Sequence, residues 1–225
     1  MKLKKINIDF CDEINPFLGL IAMFITQDII VKIFFKEKII KNRILIPHNR
    51  SVILAPTHRS RWDGLILTMA MGRRVTKKDC RFMVTNSEMT GIQGWFLKRL
   101  GCFSINQISP SFSVLRYAVN LIVKKRQLVV FPEGRINKYG KKIALKGGLF
   151  RLAKLATKKI TNITIIPIGI AYSEVNPKLR SKVSLCFGEP LIVNDQMDLS
   201  ISEFNEKLHE KMKTAENEAL KNVGR

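Results

Sequence analysis

Short apolar runs alternate with longer amphipathic stretches over most of the chain. The apolar runs have the character of buried strands, which we predict at residues 51–55, 80–85, 127–131, 163–168 and 182–187. The amphipathic stretches predict helices near residues 64–71, 92–100, 111–125, 147–157 and 202–221. Because strands that alternate with helices are typical of α/β domains, the sequence predicts a mostly parallel central sheet flanked by helices.

Residues 16–40, PFLGLIAMFITQDIIVKIFFKEKII, are the best candidate for a membrane segment. Their unbroken apolar part runs only from Phe17 to Ile25, after which three polar residues interrupt it. A spanning helix needs roughly 20 mostly apolar residues, so this pattern disfavours a span. Apolar side chains that enter the acyl boundary, beside lysines that meet lipid phosphates, favour an amphipathic helical segment at the membrane interface. An ordinary amphipathic helix packed on the domain explains the pattern equally well.

The pattern predicts a chain in two parts. Residues 1–42 form the N-terminal amphipathic helical segment at the membrane interface, and residues 43–225 form the α/β domain. The start of the chain, MKLKKINIDFCDEINP, lacks the apolar core and cleavage site of a signal peptide. Four cysteines have spacings that suit neither a metal pair nor a redox motif, namely Cys11, Cys80, Cys102 and Cys186. Reduced, mostly buried thiols are typical of a cytoplasmic protein, which is the location we expect.

The charge of the chain is strongly positive. With 39 Lys and Arg against 18 Asp and Glu, the formal net charge is +21. Such an excess indicates a polyanionic partner, which can be nucleic acid, an anionic membrane surface, an acidic carrier protein or a phosphorylated substrate. A solubilising surface is the alternative. The sequence has no zinc-finger spacing, aromatic-rich RNA-binding strand or basic zipper, so we expect no nucleic-acid partner.

The segment PTHRSRWDG, residues 56–64, brings titratable side chains to the end of a predicted strand. Ligands in α/β sheets usually bind where loops leave the carboxyl ends of strands. A carboxylate on one imidazole nitrogen fixes the tautomer and orientation that a histidine base needs. His58 leaves the strand and Asp63 follows about one helical turn later, so the two can pair. A structural hydrogen bond that only closes the loop is the alternative.

A second loop, FPEGRINKYGKKIALKGG, follows the predicted strand at residues 127–131. Glu133, Gly134 and Arg135 come directly after the strand, and two glycines open the next helix. Lysines lie between these two groups, at Lys138, Lys141, Lys142 and Lys146. Cations beside a helix N-terminus make an attractive site for a phosphate. A solvated lysine-rich loop would have the same composition.

With both loops in order, the chain resembles the glycerophospholipid acyltransferases, which include the lysophosphatidic acid acyltransferases. Their first hallmark is a histidine and an aspartate separated by four residues, as in His58 and Asp63. Their second is Phe-Pro-Glu-Gly with a following arginine, as in residues 131–135. An intermediate block resembles NSEMTGIQGWFLKRLGCFSINQ, and the last resembles IIPIGI. The resemblance covers roughly residues 45–190, which makes residues 43–225 an acyltransferase domain.

The resemblance implies transfer of a fatty acyl group from a thioester, on acyl-carrier protein or coenzyme A, to a hydroxyl of a glycerophosphate. The most direct acceptor is 1-acylglycerol-3-phosphate, or lysophosphatidic acid, and the product is then phosphatidic acid. His58 is implied as the general base and Asp63 as its orienting group. Arg135 is implied as a phosphate ligand, with Gly134, Lys141 and Lys146 completing the substrate-binding set. Glu133 would brace the loop or contact the polar head of the acceptor.

No cofactor or metal is expected, because the sequence has no metal cluster and no Gly-rich nucleotide loop. A lipid acceptor resides in the bilayer, so the resemblance implies peripheral, monotopic association with the cytoplasmic face of an anionic membrane.

The chain departs from the family pattern at two places. Arg135 follows Gly134 directly, where a threonine often intervenes, and Asn106 and Gln107 stand where an arginine often binds the acceptor's phosphate. Glycerol-3-phosphate or another lyso-lipid is therefore an alternative acceptor. Two alternative functions belong to other classes of protein. The chain could be a non-catalytic, lipid-binding relative of the family or a nucleic-acid-binding module. The intact pair of His58 and Asp63 argues against the first of these.

Overall fold

The computed structural model describes residue 14 and residues 16–43, 50–106 and 109–225. The strands are β1 (Phe35–Lys41), β2 (Val52–Pro56), β3 (Cys80–Thr85), β4 (Phe103–Ile105), β5 (Gln127–Val129), β6 (Asn162–Tyr172), β7 (Ser181–Phe187) and β8 (Leu191–Asn194). The helices are α1 (Pro16–Met23), α2 (Val31–Phe34), α3 (Asp63–Met71), α4 (Arg73–Thr76), α5 (Gly91–Arg99), α6 (Phe112–Val123), α7 (Gly148–Thr157) and α8 (Ile201–Val223). A π-helical stretch, Phe24–Ile30, joins α1 to α2, and a 3-10 turn, Asn86–Met89, precedes α5.

The strands in the described part of the chain form one mostly parallel sheet. Its order is β4-β3-β5-β2-β6-β7-β1, and β8 pairs with β6. The pairs of β2 with β5 and β6, of β3 with β4 and β5, and of β1 with β7 are parallel. Only the pairs of β6 with β7 and β8 are antiparallel among these strands. The predicted α/β fold with a mostly parallel central sheet is confirmed.

Helices cover both faces of the sheet, because its central strands are apolar on both sides. One face packs against α6, α7 and α8, with Ile122, Leu152 and Leu208 in its core. The other face packs against α3 and the N-terminal helix, which consists of α1, the π-helical stretch and α2. Leu67 and Val31 lie in the core on this face. Each of these five side chains is at most 2% exposed, and burying one contributes about 1.5–3 kcal/mol. The central strand β2 is buried along its whole length, which fixes the position of the loop that follows it.

All five predicted strands and all five predicted helices are present, with somewhat shifted ends. Sequence reasoning missed β4 and β8, which are only three and four residues long. The predicted buried thiols are confirmed at Cys80, Cys102 and Cys186, and burial raises the pKa of Cys102 to about 12. Cys11 lies outside the described residues.

The prediction of a helical segment through residue 42 was wrong at its C-terminal end. The helix stops at Phe34, and Phe35–Lys41 form strand β1, parallel to β7. The physical reason is tertiary. Phe35 is fully buried and stacks on Tyr172, with 5.8 Å between the ring centroids. Pairing with β7 and this burial outweigh the local helical pattern.

The N-terminal helix is apolar on two faces. Its inner face packs on the domain through Ala22, Met23, Gln27 and Val31. Its outer face exposes eight large apolar side chains, at Phe17, Leu20, Ile21, Phe24, Ile25, Ile29, Ile30 and Ile33. By length and composition, Phe17–Phe34 can cross a membrane, although a soluble core helix or a signal sequence meets the same criteria. Only 28% of these residues are buried, so the outer face is open to an apolar partner.

Candidate active site

Three neighbouring parallel strands end at one edge of the sheet, and each supplies part of the candidate site. The pairings Leu54↔Val129 and Pro56↔Ile168 set β2 between β5 and β6. His58 leaves the end of β2, the loop at residues 131–147 leaves the end of β5, and Tyr172 ends β6. The topology therefore gathers chain segments that are far apart in sequence.

His58 and Asp63 form a direct pair. Nδ1 of His58 lies 2.9 Å from Oδ2 of Asp63, which confirms the predicted contact. A short turn brings the chain back because the N–H groups of Arg59 and Ser60 also donate to Oδ2, at 2.6 and 2.9 Å. Asp63 begins α3 and is fully buried. Its carboxylate is therefore held rigidly under the imidazole.

Tyr172 is a member of this group that sequence reasoning missed. Its hydroxyl donates to Oδ1 of Asp63 at 2.6 Å, so both carboxylate oxygens have donors. Burial, followed by the charge of Asp63, raises the pKa of Tyr172 well above its ordinary value of 10, which keeps the phenol protonated. Tyr172 follows the block IIPIGI by two residues, and nothing in the local sequence distinguishes it from an ordinary buried tyrosine.

Two contacts orient the imidazole of His58, namely the pairing of Nδ1 with Asp63 and stacking of the ring face on Phe131. The ring stacks on Phe131, with 4.1 Å between centroids and 25° between planes. Because an ionised carboxylate only accepts hydrogen bonds, the pairing favours a proton on Nδ1 and leaves Nε2 as the basic nitrogen. The side chain is 21% exposed, so a substrate can reach it. This arrangement can accept a proton from a hydroxyl group.

Glu133 lies in a buried ionic network behind His58. Both of its carboxylate oxygens accept from Nη1 of Arg59, at 2.7 and 2.8 Å, and Oε1 also accepts from the N–H of His58 at 3.3 Å. Arg59 donates through Nε to Glu216 of α8. Burial alone would lower the pKa of Arg59, but the hydrogen bonds and charges of Glu216 and Glu133 raise it. These contacts favour the bracing role for Glu133 over contact with an acceptor.

Arg59 and Glu216 were also missed as site residues. Arg59 lies within the segment PTHRSRWDG, where nothing in the sequence distinguishes it from an exposed loop arginine. Glu216 is 3% exposed and lies on the apolar face of α8, beside buried Ala215 and Ala219. A glutamate on the apolar face of an amphipathic helix is the one signal that could have identified it.

A backbone hydrogen bond joins the second loop, residues 131–147, to the loop that carries His58. The N–H of Asn137 donates to the carbonyl of His58 at 2.7 Å, and the N–H of Lys146 donates to the carbonyl of Pro132 at 2.8 Å. Gly134 has a φ of 67°, a left-handed backbone conformation that residues with a Cβ atom rarely adopt. Its turn closes through an N–H bond to Phe131 at 3.0 Å. The Phe-Pro-Glu-Gly sequence thus forms a tight turn beside His58.

The structure places the predicted cations at the surface of this loop. The side chains of Arg135, Lys141 and Lys146 are all exposed. Lys141 lines a shallow cleft between the loop and α8, and His58 is not among the residues of that cleft. The structure therefore brings together His58, Asp63 and Glu133, whereas Arg135, Lys141 and Lys146 lie on the exposed surface of the loop. Asn106 is described, but Gln107 lies outside the described residues.

Within the described ranges, no three His, Cys, Asp or Glu side chains gather as a metal site requires.

The family model for Acyltransferase matches residues 38–171, a range that contains His58, Asp63 and Glu133. The chain belongs to the acyltransferase family.

Two relatives show how far the similarity extends. The chain is 28% identical over 149 residues to a 1-acyl-sn-glycerol-3-phosphate acyltransferase of Streptococcus pneumoniae (strain R6). That match covers 65% of this chain and 52% of the relative, so the chain spans about half the relative's length. The crystal structure of the 1-acyl-sn-glycerophosphate acyltransferase PlsC from Thermotoga maritima superposes with a TM-score of 0.67 at 18% identity. It covers 92% of this acyltransferase and 80% of that chain, which shows a shared fold.

Proposed function

We propose that this acyltransferase moves a fatty acyl group from a thioester donor to the free hydroxyl of 1-acylglycerol-3-phosphate, giving phosphatidic acid for phospholipid biosynthesis. The observation that carries the proposal is the pair of half-buried His58 and fully buried Asp63 beside the tight turn at Gly134. The names of the streptococcal and Thermotoga proteins support the choice of acceptor. The donor is acyl-carrier protein or acyl-coenzyme A.

His58 acts as the general base in this proposal. Nε2 takes the proton of the acceptor hydroxyl while the oxygen attacks the thioester carbonyl. The tetrahedral intermediate then expels the thiolate, and the imidazolium of His58 returns the proton to the leaving sulfur. General acid–base catalysis of this kind contributes typically about 100- to 10,000-fold.

Asp63 and Tyr172 keep the base in its working orientation. Asp63 fixes the tautomer of His58 and stabilises the imidazolium that forms during the reaction. Tyr172 satisfies the second carboxylate oxygen, so Asp63 stays aimed at Nδ1. Glu133, together with Arg59, holds the backbone N–H of His58 in place.

The phosphate of the acceptor meets the cations of the second loop. Arg135 follows the turn at Gly134 and is the first candidate ligand, because a guanidinium can bind a phosphate in a bidentate manner. Lys141 and Lys146 are exposed on the same loop and add to the positive potential. These cations replace the arginine that the intermediate block lacks at Asn106.

The N-terminal helix, Phe17–Phe34, docks the domain on the cytoplasmic face of the membrane in a peripheral, monotopic manner. The eight exposed apolar side chains between Phe17 and Ile33 support this location, because large exposed apolar patches mark interaction surfaces. Lys32 and Lys36 are exposed beside them and suit anionic lipid. Vesicle flotation that strengthens with anionic lipid and weakens with salt supports peripheral docking, whereas salt-insensitive retention identifies a spanning helix.

A substrate panel tests the activity. Purified protein is incubated with acyl-coenzyme A or with acyl-carrier protein that bears a thioester-linked acyl group, with one acceptor at a time, and the released thiol is measured. We expect turnover with lysophosphatidic acid and none with lyso-lipids that lack a terminal phosphate. Preference for glycerol-3-phosphate would reassign the acceptor, and an absence of thioester consumption with every acceptor contradicts the proposal.

A further inference from the structure

Helix α5 (Gly91–Arg99) presents large apolar side chains to solvent. Ile92, Trp95 and Phe96 are 88%, 53% and 43% exposed. Their spacing, i, i+3 and i+4, places them on one face of the helix. Gly94 is buried on the other side, where an added Cβ would lie 2.1 Å from the backbone of Met89. Gly94 thus lets the helix pack closely on the turn before it, and Leu97 packs on the hydrophobic core, while the largest side chains of the helix point outward.

Basic side chains border this apolar face. The guanidinium of Arg99 lies 3.7 Å from the centroid of the Trp95 ring, and Lys98 belongs to the same last turn. Tryptophan beside cations is the composition of a segment that lies at a membrane–water interface. The long side chains of Lys98 and Arg99 can lie along apolar surface while their charged ends stay at the lipid headgroups.

The C-terminal end of α5 lies next to the start of the N-terminal helix. Ile14, two residues before α1, contacts Gly101, two residues after α5, so closely that a Cβ on Gly101 would lie 2.6 Å from the Cδ1 atom of Ile14. The apolar outer face of the N-terminal helix and the apolar face of α5 thus belong to neighbouring elements. A single apolar partner can cover both.

The catalytic segment lies between these two elements. Arg61 approaches Glu88, in the turn before α5, at 3.8 Å, and the ring of Trp62 lies 4.2 Å from that of Phe34, at the end of the N-terminal helix. Residues 61 and 62 stand between His58 and Asp63 in the sequence. The chain that carries the base therefore contacts both elements with exposed apolar faces.

We propose that α5 is a second membrane-contact surface, and that its occupant is an anionic lipid bilayer. This inference rests on the proposed function, since it concerns how the same site meets a lipid acceptor. The bilayer is favoured over an acidic carrier protein because Ile92, Trp95 and Phe96 offer apolar area, whereas a carrier protein would be recognised chiefly by charge. Contact at two elements holds the segment with His58 at the depth of the lipid headgroups, where the acceptor's hydroxyl lies.

Tryptophan fluorescence tests the contact directly. The chain has two tryptophans, Trp62 and Trp95, so Trp62→Phe leaves Trp95 as the sole probe. Vesicles of phosphatidylcholine and phosphatidylglycerol should shift the emission of Trp95 to shorter wavelength, and brominated acyl chains should quench it. Unchanged emission, while the protein floats with the vesicles, overturns the proposal.

A pair of matched variants gives the second test. Ile92→Asn with Phe96→Asn removes apolar bulk from α5, and Leu179→Asn with Ile192→Asn removes it from exposed positions elsewhere, 62% and 52% exposed. The α5 variant should partition to vesicles roughly tenfold more weakly, and the control should match the wild type. Acyl transfer to vesicle-borne acceptor should fall in proportion, whereas transfer to detergent-dispersed acceptor should persist.

The outcomes separate this inference from the proposed function. Equal vesicle partition of the α5 variant and its control overturns the membrane role of α5 and leaves acyl transfer intact. Loss of binding to acyl-carrier protein, or loss of self-association, with unchanged vesicle partition also overturns it and identifies another occupant. A wild type that consumes no thioester contradicts the proposed function, while the Trp95 emission still decides the contact.

Discussion

The hydroxyl of Tyr172 donates to one carboxylate oxygen of Asp63 while the other oxygen holds the imidazole of His58, with oxygen–oxygen and oxygen–nitrogen distances of 2.6 and 2.9 Å. The carboxylate is fully buried, so it depends for its hydrogen bonds on these partners and on the N–H groups of Arg59 and Ser60, which donate to the same oxygen as His58. Tyr172 ends β6 and Asp63 begins α3. The orientation of the proposed base is therefore set by a residue from a third strand.

Replacing Tyr172 by Phe should lower turnover without a matching change in KM. A hydrogen bond to a charged group contributes about 1.5–3 kcal/mol, and part of that loss should appear as misorientation of His58, about tenfold in kcat. Steady-state kinetics on Tyr172→Phe and on Tyr139→Phe, whose ring is 70% exposed, measure the effect. Equal turnover in the two variants contradicts a positioning role for Tyr172.

Tyr172 should also make stability depend on alkaline pH. Its pKa is raised by burial and by Asp63, so the folded protein holds this proton more tightly than the unfolded chain does. The resulting stabilisation is fully present below about pH 10, the ordinary pKa of tyrosine, and is lost as pH rises from there toward the folded value.

Denaturant unfolding measured on either side of pH 10 checks the sign of this effect. The free energy of unfolding should fall with pH above 10 more steeply in the wild type than in Tyr172→Phe. The Tyr139→Phe control should keep the wild-type slope. A Tyr172→Phe variant with that same slope would show that the proton on Tyr172 is not linked to folding.

His58→Ala should abolish nearly all acyl transfer, because the proposed base is removed. Asp63→Asn should reduce kcat by on the order of 1,000- to 10,000-fold, since the amide can favour the wrong tautomer and cannot stabilise an imidazolium. Thiol release by each variant measures the loss, and circular dichroism with thermal unfolding verifies the fold. Folded variants with near-normal turnover would remove the His–Asp assignment.

Much of this architecture was predictable from local pattern. The apolar strands β2 and β6 are buried on both faces, so their sequences carried a clear signal, and two loops at the carboxyl ends of strands predicted one shared cleft. Strand β1 was not predictable in the same way. Its assignment depends on pairing with β7 and on the burial of Phe35, which no local pattern records.

The site was predictable where residues are close in sequence. The His58–Asp63 pair lies within one turn, and its spacing alone indicated the contact. Tyr172 and Glu216 reach the site from elements far along the chain, so only the tertiary structure reveals them. The catalytic and substrate-binding roles of the named residues stay predictions.

Glu216→Gln should destabilise the protein, because it leaves part of the charge of buried Arg59 without a partner. Removing one member of a buried ion pair costs about 3–5 kcal/mol. Glu210→Gln changes an exposed glutamate on the same helix and should leave the free energy of unfolding within about 0.5 kcal/mol of the wild type. Denaturant unfolding of both variants measures the difference, and similar values for the two would contradict the network's role in stability.

Arg135→Gln should raise the KM for a phosphate-bearing acceptor with a smaller effect on kcat. Loss of a charge-assisted hydrogen bond of about 1.5–3 kcal/mol corresponds to roughly a 10- to 100-fold rise. Arg135→Lys keeps the charge but loses the bidentate geometry, so it should recover only part of the affinity. The same assay on Lys141→Gln and Lys146→Gln ranks the three cations. An unchanged KM in all three would move the phosphate site elsewhere.

The ion pair between Arg59 and Glu216 joins residues that are 157 positions apart, and it has a consequence for synthesis of the chain. Arg59 and Glu133 are made well before α8, so a growing chain contains the guanidinium and only one of its two carboxylates. At 5–20 residues per second, the interval between Glu133 and Glu216 lasts on the order of ten seconds. During that time the loop beside His58 is only partly braced. Ribosome-bound intermediates that stop before α8 should therefore be open to proteolysis in this loop, and release of the finished helix should close it.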